Sequence, residues 1–126
     1  FVGLIPPGSS TCSTATPFAD TAKNCGNGPE DFKLSRINTA AWVATCALPG
    51  TDEYRLRAVM GASGFAKPAC TDVGFPLCIP VGAPATFATG VPASGIRDTY
   101  FRFDAPSHNT AAAAQTIAVT ITATVP

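Results

Sequence analysis

Few side chains in this sequence could catalyse a reaction, and their spacing does not favour catalysis. His108 is the only histidine, and it lies in a Pro-Ser-His-Asn bend close to Asp104 and Ser107. A Ser-His-Asp triad needs a base that is oriented by an acid and lies beside a nucleophile, whereas Asp104 and Ser107 fit ordinary turn chemistry. The sequence also lacks a G-x-S-x-G elbow, a P-loop and a G-x-G-x-x-G run. It therefore predicts a protein that is not an enzyme and binds no cofactor.

Two pairs of adjacent acids, Glu30-Asp31 and Asp52-Glu53, are the remaining candidates for acid–base or metal chemistry. Neighbouring residues in a strand point to opposite faces, so neither pair predicts a carboxylate dyad. Calcium loops typically contain a D-x-D-x-D-G run, and zinc sites commonly use C-x2-C spacing. Neither pattern is present, and we predict no metal site.

The cysteines predict covalent cross-links. Cys12 and Cys25 are close in sequence, as are Cys70 and Cys78, so two local disulfides are the natural expectation. Cys46 is then left over on the apolar face of a predicted strand, where we expect a buried free thiol. The alternative is that Cys46 pairs with Cys70 or Cys78, because sequence does not fix connectivity. Disulfides persist in oxidising compartments, which predicts a secreted, extracellular protein at the cell surface.

Composition narrows the set of partners. Charged residues make up 13% of the 126 residues, against about 25% in typical domains, and eight basic residues balance eight acidic ones. The chain therefore lacks the basic surplus that nucleic acid binding requires, and it has no run of about 18 apolar residues for membrane insertion. A net charge of zero lowers the repulsion between copies, so we expect self-association.

Alternation with a period of two locates the strands. In residues 40–48 it places Trp42, Ala44, Cys46 and Leu48 on one face, and a Pro-Gly turn then leads to a partner strand over 54–60. This pattern predicts a hairpin whose apolar face, including Trp42, packs in the core.

The C-terminal segment has the clearest strand pattern. Ile117, Val119, Ile121, Ala123 and Val125 share one face, with mostly threonine on the other. Short strands separated by turn signals every 8–12 residues predict an all-β fold over residues 9–126, either an antiparallel sandwich or a barrel. Of the two we expect an antiparallel immunoglobulin-like β-sandwich with disulfide-closed loops.

An apolar arm precedes this domain in residues 1–8. Phe1, Val2, Leu4 and Ile5 are its large apolar side chains, and Pro6-Pro7-Gly8 ends it. Two interpretations stay open: a first strand tucked into the domain's own core, or an arm that docks on a neighbouring copy.

Three features resemble the subunits of bacterial surface filaments, such as chaperone–usher and spore-coat-U-type pilins. They are the early cysteine pair in a Ser/Thr-rich stretch, the segment DTYFRFDAPS (98–107) and the final strand QTIAVTITATVP (115–126). The resemblance implies a sandwich that lacks one strand and is completed by a terminal strand of the next copy, which would build a homopolymeric fimbria. Phe1–Ile5 is then the donor, and the last strand is either the acceptor edge or an ordinary core strand.

Other functions fit the same features. One is a monomeric secreted adhesion domain that binds a surface ligand through the loops of Gly61–Gly95. Others are a viral coat or decoration protein, and a small inhibitor that presents the segment between Cys70 and Cys78.

Overall fold

Strands account for all the regular structure that can be described. The computed structural model describes residues 5–13, 20–38, 41–111 and 113–126, and these ranges contain nine β-strands and no helix. No part of them forms a helix long and apolar enough to cross a membrane. The strands are β1 Ser10–Cys12, β2 Asp20–Lys23, β3 Glu30–Ile37, β4 Val43–Ala44, β5 Glu53–Ala62, β6 Leu77–Cys78, β7 Ala85–Val91, β8 Ile96–Asp104 and β9 Ala118–Thr124. The predicted all-β class is confirmed.

The strands form two sheets. The larger sheet is built on β5 and β8, which pair antiparallel from Arg55↔Asp104 to Ala62↔Arg97. The short strands β1 and β2 both pair with the other side of β8, and β4 and β6 both pair with the other side of β5. The smaller sheet has the order β7-β3-β9 and is antiparallel throughout. Sequence-distant strands therefore meet at the centre of both sheets.

One core joins the two sheets. It is formed by buried side chains of β3, β5 and β8 and by two residues outside the strands. These are Leu34 of β3, Tyr54, Leu56 and Ala58 of β5, Phe101 and Phe103 of β8, and Ile79 and Ala105 outside the strands. These inward residues of β5 and β8 are buried, as expected where the side chains of a strand alternate between two faces. Trp42 is partly buried and packs 6.1 Å from Phe103 and 6.3 Å from Tyr54 between ring centroids. Trp42 is thus a core side chain, as predicted.

The predicted hairpin is wrong. Of residues 40–48 only Val43–Ala44 is a strand, and it pairs parallel with the start of β5 through Val43↔Glu53. The chain leaves the sheet after Ala44, and Leu48, predicted to share the core face of Trp42, is 79% exposed. Residues 45–48 do not remain in the sheet, because this Ala-rich stretch has little apolar area to bury there.

The C-terminal strand is confirmed except at its end. Ile117, Val119 and Ile121 are partly buried and pack against the core. The strand stops at Thr124, and Val125, predicted on the same face, is 82% exposed. Ala123, also predicted on that face, is exposed as well. Of the predicted arm, Ile5 also packs against the core, whereas Phe1, Val2 and Leu4 lie outside the described residues.

Candidate functional site

The open edge of β9 is the first candidate site. β9 pairs along its whole length with β3, from Ile37↔Ala118 to Asp31↔Thr124, and with no other described strand. Its seven residues, AVTITAT, contain no charge and no proline, and its pairing with β3 shows no register shift. Natural sheets usually protect edge strands with charged side chains, prolines or β-bulges, because an unprotected edge offers free N–H and C=O groups to another chain.

The other sheet edges are short or irregular. On the opposite edge of the smaller sheet, β7 carries Gly90 at a positive φ of 56°, and its register with β3 shifts on both sides of Phe32. In the larger sheet, the edge strands β1, β2, β4 and β6 have only two to four residues each. Among the described strands, β9 is therefore the edge best suited to accept another strand.

The side chains of β9 leave the core incompletely covered along this edge. Val119 and Ile121 face the core but are only partly buried, while Thr120 on the other face is exposed. A further strand beside β9 would cover the remaining apolar area of these side chains and pair their backbone.

The second candidate is a charged cluster on the outer face of the larger sheet. Period-two alternation sends Arg55 and Arg57 of β5 and Arg102 and Asp104 of β8 away from the core, and Arg57 lies directly opposite Arg102. Like charges opposite each other destabilise a sheet. Asp72 offsets this repulsion, because its carboxylate lies 2.5 Å from Arg102 Nη1, 3.2 Å from Arg55 Nη2 and 3.6 Å from Arg57 Nη2.

Asp104 is the buried acid of this cluster. Its Oδ2 accepts a hydrogen bond from Arg55 Nε at 2.5 Å, and its Oδ1 accepts from Arg102 Nε at 2.8 Å and from the Ser10 hydroxyl at 2.5 Å. Burial by itself would raise the pKa of Asp104, but these hydrogen bonds and the two guanidinium charges outweigh it and hold the pKa below its ordinary value. Asp104 is therefore ionised at neutral pH and fixes both arginines.

A loop covers the cluster. Residues 63–76 fold back over the outer face, where Phe65 packs edge-on against Tyr100 at 5.1 Å and Phe75 is fully buried. The Phe75 carbonyl accepts a hydrogen bond from Arg57 at 3.0 Å, and Cys70 is bonded to Cys12 of β1. Arg55, Arg102 and Asp104 of the outer face are buried beneath this loop. In this part of the predicted Gly61–Gly95 ligand region, Phe65 and Phe75 serve packing.

The predicted disulfides are wrong in their pairing. Cys12 bonds Cys70 and Cys46 bonds Cys78, while Cys25 is free and exposed. The alternative pairing of Cys46 with Cys78 is confirmed, and the expected free thiol at Cys46 is not. The loop from Cys70 to Cys78 is consequently not closed on itself, which removes the basis for the inhibitor hypothesis.

Topology explains these pairings. β1 and β2 pair with opposite ends of β8, since Cys12 lies opposite Arg102 and Lys23 opposite Ile96. Six residues along a strand separate these positions by about 20 Å, too far for Cys12 to reach Cys25, just beyond Lys23. β4 and β6 lie on the same side of β5, which brings Cys46, just after β4, to Cys78 of β6.

The residues considered for catalysis make contacts within the fold. Asp104 is held by arginines, whereas His108 is exposed and its carbonyl accepts a hydrogen bond from the backbone of Asp52 at 2.9 Å. The side chain of Asp52 accepts hydrogen bonds from the hydroxyl and backbone N–H of Thr110, which lower its pKa. Asp31 accepts from the backbone of Gly90 at 2.9 Å. In the described ranges, no three His, Cys, Asp or Glu side chains group as metal ligands would.

Sequence reasoning missed two central residues. No sequence pattern around Asp72 predicted its contacts with the arginines, because these contacts depend on a loop that crosses the sheet. Arg36 could have been found, since the alternation that places Phe32 and Leu34 on one face of β3 places Arg36 there too. Comparison with models of known protein families, with curated proteins and with solved structures finds no match.

Proposed function

We propose that the chain is a secreted structural subunit of an extracellular, pilus-like filament, an immunoglobulin-like β-sandwich that self-assembles by strand exchange. The apolar arm Phe1–Ile5 of one copy adds to the β9 edge of the next copy and extends the smaller sheet to four strands. The observation that carries the proposal is the long, regular and uncharged edge of β9. Such an edge invites strand addition.

The dimensions of the two strands support the proposal. At about 3.3 Å per residue, the five-residue arm spans about 17 Å and the seven residues of β9 about 23 Å. The arm therefore covers most of the edge. Its apolar side chains would supply the contact that partly buried Val119 and Ile121 lack.

The chain after the arm makes a turn. Gly8 has a positive φ of 69°, and its N–H donates to the carbonyl of Pro106 at 2.7 Å. From Ser10 the chain is fixed to β8. Ile5 packs against its own core, and in strand exchange an equivalent contact forms in the neighbouring copy. Because each copy donates to a different copy than it accepts from, the contact is head-to-tail and open-ended.

Two disulfides suit an oxidising, extracellular environment. The even charge balance, eight basic against eight acidic residues, adds little repulsion between stacked copies.

Light scattering on the chain at neutral pH tests the proposal with three variants. One lacks Phe1–Gly8, one is Thr120→Lys on β9 and one is Thr86→Lys on β7. Both threonines are exposed on edge strands of the smaller sheet, so Thr86→Lys is the matched control for added charge. We expect polymers from the wild type and from Thr86→Lys, and monomers from the other two.

Polymers of Thr120→Lys at the wild-type yield would contradict the β9 edge as acceptor, and polymers of the truncated chain would contradict the arm as donor. A wild type that stays monomeric would favour the monomeric adhesion domain instead.

A further inference from the structure

The apolar arm is followed by a tight turn at residues 6–9. The Pro6 carbonyl accepts hydrogen bonds from the Ser9 N–H at 3.2 Å and from the Ser9 hydroxyl at 2.5 Å. Pro7 and Gly8, whose φ is 69°, occupy the central positions that proline and glycine prefer in a type II turn. Such a turn reverses the chain, and β1 after it runs antiparallel to β8. The arm therefore approaches the turn in the direction in which β8 runs.

The turn lies at the end of the domain where β9 begins. It is fixed just beyond the end of β8, since the Gly8 N–H donates to the Pro106 carbonyl at 2.7 Å. Tyr54, near the start of β5, lies beside that end of β8. The Arg36 guanidinium lies 4.9 Å from the centroid of the Tyr54 ring, and Arg36 pairs with Val119 at the start of β9. An arm that approaches this end therefore runs opposite to β9, which starts here and leads away.

β1 and the open edge of β9 border the same side of the domain. In the larger sheet, β1 lies beyond β8 on the side away from β5. In the smaller sheet, β7 is the edge strand that contacts β5, so β9 at the opposite edge lies toward β8 and β1. Ile5 is half-buried and packs against the same core as Val119 and Ile121. The arm thus ends against the core on the side where β9 lacks a neighbour among the described strands.

We infer that in an isolated copy the arm Phe1–Ile5 pairs antiparallel with its own β9, as a fourth strand of the smaller sheet. Counted back from Ile5, the four preceding residues reach about 13 Å along β9. Alternation then places Phe1 on the same face as Ile5, toward the core, and Val2 on the opposite face. This pairing satisfies backbone groups of β9 and covers apolar area that the edge otherwise exposes.

The pairing makes assembly depend on protein concentration. The same arm and the same edge are used within one copy and between copies, so the two contacts exclude each other. A short linker holds the arm at an effective concentration of the order of millimolar, and copies more dilute than this keep their own arms. The threshold for assembly rests on the filament proposed above, whereas the pairing within one copy does not.

Backbone amide exchange of the monomer, followed by NMR, tests the pairing. The solution is dilute enough for light scattering to show single copies, and the signals of interest are the N–H groups of β9 that do not bond to β3. The N–H groups of β7 that face away from β3 serve as the reference, because no described strand pairs with them; Gly90, which donates to Asp31, is left out. We expect the β9 groups to exchange about tenfold or more slowly than this reference.

Two variants of the full chain carry the same new charge. Ile5→Asp puts a carboxylate at the half-buried position and should release the arm, so that the β9 groups exchange about as fast as the reference. Val2→Asp puts the charge on the face away from the core and should leave their exchange as in the wild type. Fast exchange in the wild-type monomer, no acceleration in Ile5→Asp, or equal acceleration in both variants would overturn the inference.

Light scattering over a concentration series separates this result from the filament proposal. Slow exchange of the β9 groups in the monomer, with no polymers at any concentration, would support the pairing and refute the filament. Polymers formed from a monomer whose β9 groups exchange fast would support the filament and refute the pairing. Slow exchange in the monomer together with polymers above a threshold concentration would support both.

Discussion

The two aspartates of the outer-face cluster should differ sharply in what they contribute to stability. Asp104→Asn keeps the shape of the side chain but removes its charge, and it turns one acceptor oxygen into an amide that faces an arginine N–H. The side chains of Asp104 and Arg55 are only 5% and 4% exposed. Removing one partner of a buried ion pair costs about 3–5 kcal/mol, and in Asp104→Asn the described ion pairs leave Arg55 only the half-exposed Asp72.

Asp72→Asn is the matched comparison. Asp72 contacts the same arginines, but its side chain is 53% exposed. Water screens an exposed pair, and its loss costs about 1 kcal/mol or less. Total stability for such a domain is about 5–15 kcal/mol, so Asp104→Asn alone removes a large share of it.

Urea unfolding at pH 7 with intact disulfides measures both changes as shifts of the midpoint at constant slope. Asp104→Asn should unfold at a much lower urea concentration than Asp72→Asn. The reasoning is refuted if Asp72→Asn costs as much as Asp104→Asn, or if Asp104→Asn stays within 1 kcal/mol of the wild type, taking about 1 kcal/mol as the upper limit for an exposed pair.

Three further predictions concern acid, cross-links and packing. The pKa of Asp104 is lower in the folded state than in the unfolded chain, where it is about 3.9. The ionised carboxylate therefore stabilises the fold above this unfolded pKa, and the stabilisation is lost as the pH falls through the folded pKa. The free energy of unfolding of the wild type should thus fall more below about pH 4 than that of Asp104→Asn. Replacing both cysteines of the Cys12–Cys70 disulfide by serine should lower the free energy of unfolding by about 4 kcal/mol, because this disulfide closes a loop with a sequence separation of 58. The control Cys25→Ser, at a free and exposed thiol, should change it by less than about 0.5 kcal/mol. Thermal or urea unfolding measures both. Gly61→Ala should cost about 1–3 kcal/mol, since the new methyl would lie 2.6 Å from the ring of Phe65, whereas Gly28→Ala, with nothing within 4 Å, should show no packing penalty in the same assay.

Alternation read from the sequence identified the strands that bury large side chains. In β5 the large apolar residues Tyr54, Leu56 and Met60 share one face, and in β8 Phe101 and Phe103 do. The burial of Leu56 and Phe103 follows that pattern. The same rule failed around Ala44, because small side chains alternate without enough area to hold the chain in a sheet.

The cysteine pairing and the outer-face cluster could not be predicted from local sequence patterns, for a different reason. Cys12 reaches Cys70 only because a loop returns across the sheet that β1 borders. Asp72 likewise meets Arg102, 30 residues away in sequence, only through that loop. Such contacts depend on which strands become neighbours, and many strand orders fit one set of strand predictions.

The two sheets are secured very differently, and this asymmetry supports assembly through the smaller one. Both disulfides have an end in the larger sheet, at Cys12 of β1 and at Cys78 of β6. The smaller sheet has three strands and the open β9 edge. An arm that leaves its own domain pulls on the chain at Gly8, four residues before the disulfide at Cys12. Because that cross-link fixes β1 to the loop over the outer face, the proposed exchange of the arm would leave the larger sheet intact. The proposed strand addition at β9 would then stabilise the sheet that has no cross-link of its own among the described residues.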